Sequence, residues 1–236
     1  LAWLAVYSLS QPFREVTFFA VGQGDAIFIE TPQRHQILID GGPDETVIEK
    51  LGGEMPFYDR TIDLVILTHP EHDHMAGLIE FLKRYQVENI LWTGVLRDTA
   101  EFKEWQKLIT EEGAETYIAK APNQKLRFGT GQAGPIFQVL YPFESLAGKE
   151  MKNTNNTSVV VRLVFGENSF LFTGDIEKSV EKKLLDKECE GVTKSLKEYD
   201  EIIIQKYGFE VGKKYAIEEV FEKLELKNRE GLDDDW

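Results

Sequence analysis

Residues 68–77 read Thr68-His69-Pro70-Glu71-His72-Asp73-His74-Met75-Ala76-Gly77. Three of the chain's four histidines and two carboxylates fall in this stretch. Imidazole and carboxylate side chains are ligands for zinc, and the oxygen donors also admit manganese. Immediately before it, 63–68 (DLVILT) is a continuous apolar run of the kind buried on both faces of a sheet. After it, Met75, Leu78, Ile79, Phe81, Leu82 and Tyr85 recur at helical spacing. The histidines therefore lie on a strand-to-helix loop at a sheet edge, where sites are commonly built. Pro70 restricts His69 to an extended conformation, so His69 and Glu71 can point the same way. Asp73 and His74 enter the start of the helix and approach from the other side. This pattern predicts a divalent-cation site drawn from His69, Glu71, His72, Asp73 and His74. His35 stands apart in a turn and is left out.

Further from the loop, 16–21 (VTFFAV) and 26–30 (AIFIE) flank Gly22-Gln23-Gly24-Asp25, a hairpin signal. Residues 36–40 (QILID) form the next expected strand, stopped by Gly41-Gly42-Pro43. Asp44 can cap a helix to about Leu51. Phe102, Trp105, Leu108 and Ile109 mark a second amphipathic helix, ended by Gly113. Strands are expected near 115–118, 136–140, 158–165 and 169–173, and a helix over 177–187. Further on, 201–206 reads as a strand and 217–226 as a helix. A layered α/β sandwich accommodates this order. A dinucleotide fold does not, because Gly22 and Gly24 lack the third glycine and lead into a strand.

The chain has 236 residues and a formal charge of −14. Its composition, 42% hydrophobic and 29% charged, supports a packed core and, for these 236 residues, excludes disorder, collagen and a polytopic membrane segment. No basic stripe with interleaved aromatics is present. The acidity does not exclude DNA, since a bound cation supplies local positive charge. Cys189 is the single cysteine, so no intramolecular disulfide partner exists. Residues 1–9 (LAWLAVYSL) read either as a buried strand or as the last turns of a membrane helix. The expected organisation is a membrane-segment end or linker over 1–12, a main domain over 13–188 and a divergent segment over 189–236.

The stretch THPEHDHMAG resembles the histidine motif of the metallo-β-lactamase superfamily. Residues 38–42 (LIDGG), 155–161 (NNTSVVV) and 171–175 (LFTGD) stand in matching order. More narrowly, 18–32 (FFAVGQGDAIFIETP) looks like the opening of the hydrolase domain of ComEC-like competence DNA-uptake proteins. The resemblance covers about residues 14–180. It implies a four-layer αββα sandwich with one or two zinc ions, or manganese, at the sheet edge. Under it His69 serves one metal position, Asp73 and His74 a second, and Asp175 bridges or completes the site. One ion held by Asp73, His74 and Asp175 is the preferred state, with His69 or Glu71 as a fourth ligand. Asp73 is the implied catalytic residue, orienting or deprotonating water. Asp40 is the implied support of the histidine loop. From the residues alone, Asp40 reads as a turn residue and Asp175 as a helix cap. Glu71 stands where the superfamily motif has its second histidine. Asn155 and Asn156 stand near its later ligand, and no histidine follows His74. His72 fills a variable position that faces solvent.

The resemblance implies hydrolysis of a phosphodiester, with DNA as the substrate. It also implies a bacterial, membrane-associated setting in which the membrane channel segment of the same longer chain is the partner. Two other functions stay open: a degenerate scaffold domain, and a hydrolase of small esters or lactams.

Overall fold

The computed structural model describes residues 15–128, 134–165 and 168–187. Among the described residues, ten strands form two sheets. The first holds β1 (Glu15–Phe18), β2 (Ile27–Glu30), β3 (Gln36–Ile39), β4 (Thr61–Ile66), β5 (Gln86–Trp92) and β6 (Glu115–Ile118), in that order. β1 to β3 are antiparallel, with Phe18 opposite Ile27 across the glycine-containing connection. From β3 to β6 the strands run parallel. Parallel neighbours need a crossover, and α1 (Thr46–Glu54), α2 (His72–Leu82) and α3 (Ala100–Glu112) supply the three. The second sheet is antiparallel: β7 (Lys125–Arg127), β8 (Ile136–Tyr141), β9 (Val160–Phe165) and β10 (Asn168–Phe172).

Alternation along the strands builds two cores. Ile37, Ile39, Leu64 and Ile66 face Phe137, Val139, Val161 and Leu163 of the other sheet. Leu38, Val65 and Ile90 face the opposite way, against Val47, Leu51, Leu78, Phe81, Phe102 and Trp105 of the helices. β3 is buried at all four positions: Ile37, Leu38 and Ile39 pack on both faces, and Gln36 is satisfied by Asp63 and Asp59. Thr99 starts α3 by accepting a hydrogen bond from the Phe102 amide at 3.2 Å. Asp44 lies one residue before the cap of α1, and its Oδ1 accepts from the Thr46 amide at 2.9 Å.

β5 differs from the sequence expectation, which has no strand there. Glu88 and Asn89 interrupt its apolar pattern, yet it lies between β4 and β6. Asn89 is accommodated because its side-chain amide donates to the Asp63 carbonyl at 2.9 Å. The chain divides into two units at Ile176/Glu177. In the second, the described residues form a helix over 178–187 (α4). The readings for 1–9, 201–206 and 217–226, and Cys189, lie outside the described residues. Among the described residues no helix is long and apolar enough to cross a membrane.

Candidate metal centre

Asp40 directly follows β3 in a left-handed conformation, φ 57°, a region in which aspartate is enriched among non-glycine residues. Its amide donates to the Ile66 carbonyl at 2.9 Å, which draws the β3 and β4 ends together. Its buried carboxylate then reaches the loop after β4. Oδ1 accepts from the Thr68 amide at 2.8 Å and Oδ2 from the Thr68 hydroxyl at 2.6 Å. Oδ2 also accepts from His74 Nδ1 at 2.8 Å. Thr68 spends its proton on Asp40, so its oxygen accepts from His69 Nδ1, 3.0 Å away. One carboxylate thus fixes both imidazoles, His74 directly and His69 through a threonine.

The outcome is two Nε2 atoms turned to a common point. The rings pack with centroids 4.2 Å apart. Both Nε2 atoms are buried without a hydrogen-bond partner among the described residues. Asp175 supplies a carboxylate, with Oδ2 3.6 Å from His74 Nε2. Donor atoms of His69, His74 and Asp175 all lie within 4.8 Å of one another. Asp175 is delivered from the second sheet, just after β10, where its amide donates to Ser158 Oγ at 3.2 Å. Buried unpaired polar atoms are costly, and a cation bound by these three side chains would satisfy both nitrogens. The donor set, two imidazoles and a carboxylate, is that of a catalytic zinc site with a position left open.

The electrostatics divide the two rings. His69 is pushed down to about 3, chiefly by burial, with His74 and Arg97 adding to it against Asp73. His69 is therefore neutral and ready to bind a cation. For His74 burial is the largest influence and opposes charge, but Asp40, Asp175 and Asp73 outweigh it and push the ring up to about 9. Asp40 is held above the usual carboxylate range by its complete burial, against its bonds from His74 and Thr68.

Asp73 and Glu71 do not join this cluster. Asp73 lies in the first turn of α2 and its Oδ2 accepts from Gln23 at 3.1 Å. Gln23 belongs to the Gly22–Asp25 turn, which presses on the same loop. A Cβ at Gly24 would lie 1.8 Å from the Asp73 carbonyl oxygen, and φ there is +86°. Only glycine meets both conditions. Glu71 instead pairs with Arg97 and accepts from the Thr154 hydroxyl. His72 bonds Glu101 on the exposed face, and His35 bonds Asp63 in the turn before β3. Asn155 and Asn156 form a single 3-10 turn that brings Ser158 under Asp175.

Sequence reasoning missed Thr68, Ser158, Gln23 and Arg97. Thr68 and Ser158 stood inside quoted motifs, but a lone hydroxyl carries no spacing signal. Arg97 follows β5, the strand whose pattern is interrupted.

Residues 20–226 match the family model of the metallo-beta-lactamase superfamily. ComE operon protein 3 of Bacillus subtilis (strain 168) is 25% identical over 202 residues, covering 77% of this chain and 24% of that protein. The chain thus spans about a quarter of that relative's length. Among solved structures, CmlA, a diiron beta-hydroxylase from Streptomyces venezuelae, is 18% identical with a TM-score of 0.43, over 75% of this chain and 33% of that one. The Rm3 metallo-beta-lactamase is 16% identical with a TM-score of 0.39, over 67% of this chain and 58% of that one. With a family match running through nearly all of the described residues, this chain belongs to the metallo-β-lactamase superfamily.

Proposed function

We propose that this domain is a divalent-cation-dependent phosphodiesterase acting on DNA, in a chain associated with a bacterial membrane DNA-uptake channel. The observation that carries the hydrolase reading is the convergence of two buried, unpartnered Nε2 atoms with the Asp175 carboxylate. The DNA reading rests on the resemblance of residues 18–32, supported by the similarity to ComE operon protein 3. Family membership alone does not fix a substrate.

A bound zinc or manganese ion supplies Lewis acidity toward a phosphoryl oxygen and makes water a better nucleophile near neutral pH. His69 and His74 would hold it through Nε2, and Asp175 through its carboxylate. Asp40 keeps both Nδ1 protons in place, so the imidazoles stay aligned through the reaction. Asp73 accepts the proton of the attacking water, with Gln23 holding its Oδ2 and so the orientation of Oδ1.

Purified protein with added zinc or manganese is expected to cleave single-stranded DNA, and His74→Ala to be inert. Equal inertness of both across metals would sink the proposal. Failure to retain metal after refolding with zinc would favour a scaffold. Turnover of a chromogenic ester or lactam, unaffected by DNA as competitor, would favour a small-molecule hydrolase.

A further inference from the structure

Glu71 lies two residues from His69, yet its carboxylate is spent on other partners. Arg97 Nη1 stands 3.1 Å from Oε1, and Nη2 donates to Oε2 at 3.2 Å. The Thr154 hydroxyl donates to Oε1, and Arg97 Nη1 lies 3.5 Å from that hydroxyl. This ties together the loops after β4 and after β5 with the segment before the 3-10 turn. A carboxylate with both oxygens so engaged is a poor candidate for a metal ligand.

The guanidinium is only half used. Its two Nη atoms meet Glu71 end-on, leaving the side edge, formed by Nε–H and the outer Nη2–H, without a partner among the described residues. That edge is the fork that fits a carboxylate or phosphate bidentately. The side chain is 28% exposed, so a ligand can reach it. The Glu71 amide donates to the His69 carbonyl at 3.0 Å, and through Glu71 the guanidinium is held beside the cluster. The rest of the rim, Asp73 and Asp175, is acidic. A phosphodiester approaching the cation needs a donor that these carboxylates cannot provide.

We propose that Arg97 is the anion anchor of this site: its open Nε–Nη2 edge binds non-bridging phosphate oxygens beside the His69–His74–Asp175 cluster, and Glu71 is the positioning residue that aims it. This rests on the phosphodiester reading of the same site. The test uses the zinc-loaded full chain and inorganic phosphate, followed by calorimetry. Arg97→Gln is expected to weaken phosphate binding about 10-fold or more, the worth of a charge-assisted hydrogen bond, with zinc content unchanged. Arg97→Lys should fall between, because it keeps the charge and loses the fork. Glu71→Gln should keep its zinc and lose phosphate affinity. With DNA as substrate, Arg97→Gln should raise KM far more than it lowers kcat. Unchanged phosphate affinity in Arg97→Gln, or loss of zinc in Glu71→Gln, overturns the proposal. If Arg97→Gln does not fold, the wild-type protein with nitrogen-15 arginine decides: the Arg97 Nε–H resonance must shift on phosphate titration, and its constancy overturns the anchor. Phosphate held by Arg97 without DNA cleavage under any cation would refute the phosphodiesterase and leave the anchor standing. Cleavage with an unchanged KM in Arg97→Gln would do the reverse.

Discussion

The Asp40 carboxylate accepts one hydrogen bond from His74 and two from Thr68, which in turn holds His69, and its chemistry rather than its volume matters. Asp40→Asn keeps the shape but lowers the acceptor strength that both Nδ1 protons depend on. It is expected to weaken zinc binding by about 10- to 100-fold, the usual effect of losing a ligand's supporting partner, measured by competition with a chromophoric chelator. Thr68→Val cuts only the route to His69 and should cost less. The two histidines also set the pH response of the metal-free protein. His69, unfolded near 6.5 and folded at about 3, binds fewer protons when folded, so stability rises with pH between those values. His74, unfolded near 6.5 and folded at about 9, binds more protons when folded. Its contribution is complete below 6.5 and is lost as pH rises through about 9. Thermal melts of metal-free protein should therefore show maximal stability near pH 6.5, and His74→Gln should remove the decline on the alkaline side.

At the scale of the element, α2 is seated by backbone contact. The Gly41 amide donates to the His74 carbonyl at 2.9 Å, and the Gly77 amide to the Gly42 carbonyl at 3.0 Å. A Cβ on Gly77 would lie 1.8 Å from the Gly41 carbonyl oxygen. Gly77→Ala must push the helix off the β3 loop, and with it His74 from Asp40. Overpacking of this kind costs about 1–3 kcal/mol or more, read by urea unfolding, with a parallel loss of zinc affinity. Gly52 in α1 is the contrast, because a Cβ there meets nothing within 4 Å. Gly52→Ala should stabilise by about 0.4–1 kcal/mol through the unfolded chain's lost freedom.

In the main unit as a whole, the site joins two sheets. His69 and His74 follow β4 of the first, and Asp175 follows β10 of the second. The Val159 amide donating to the Thr68 carbonyl at 2.8 Å is a second tie at the same place. A cation bound there stabilises the folded state by mass action, about 2.7 kcal/mol at 100 times Kd. Zinc should raise the Tm of the wild-type protein, a chelator should reverse the rise, and Asp175→Asn should lose most of it.

The histidine loop, the strand before it and the helix after it were legible in the sequence, because a buried strand, a helical period and three clustered histidines are local signals. So were the glycine turns and the layered α/β order. β5 was not, since its place in the sheet depends on Asn89 finding a carbonyl on a neighbouring strand. The sequence by itself determined the family and a pool of donors: His69, Glu71, Asp73, His74 and Asp175. The tertiary structure decided how that pool divides. Asp40 and Thr68 turn two Nε2 atoms inward to meet Asp175, Gln23 holds Asp73, and Arg97 takes Glu71. These choices rest on pairings between residues far apart in the chain, and spacing along one strand or helix carries no record of them.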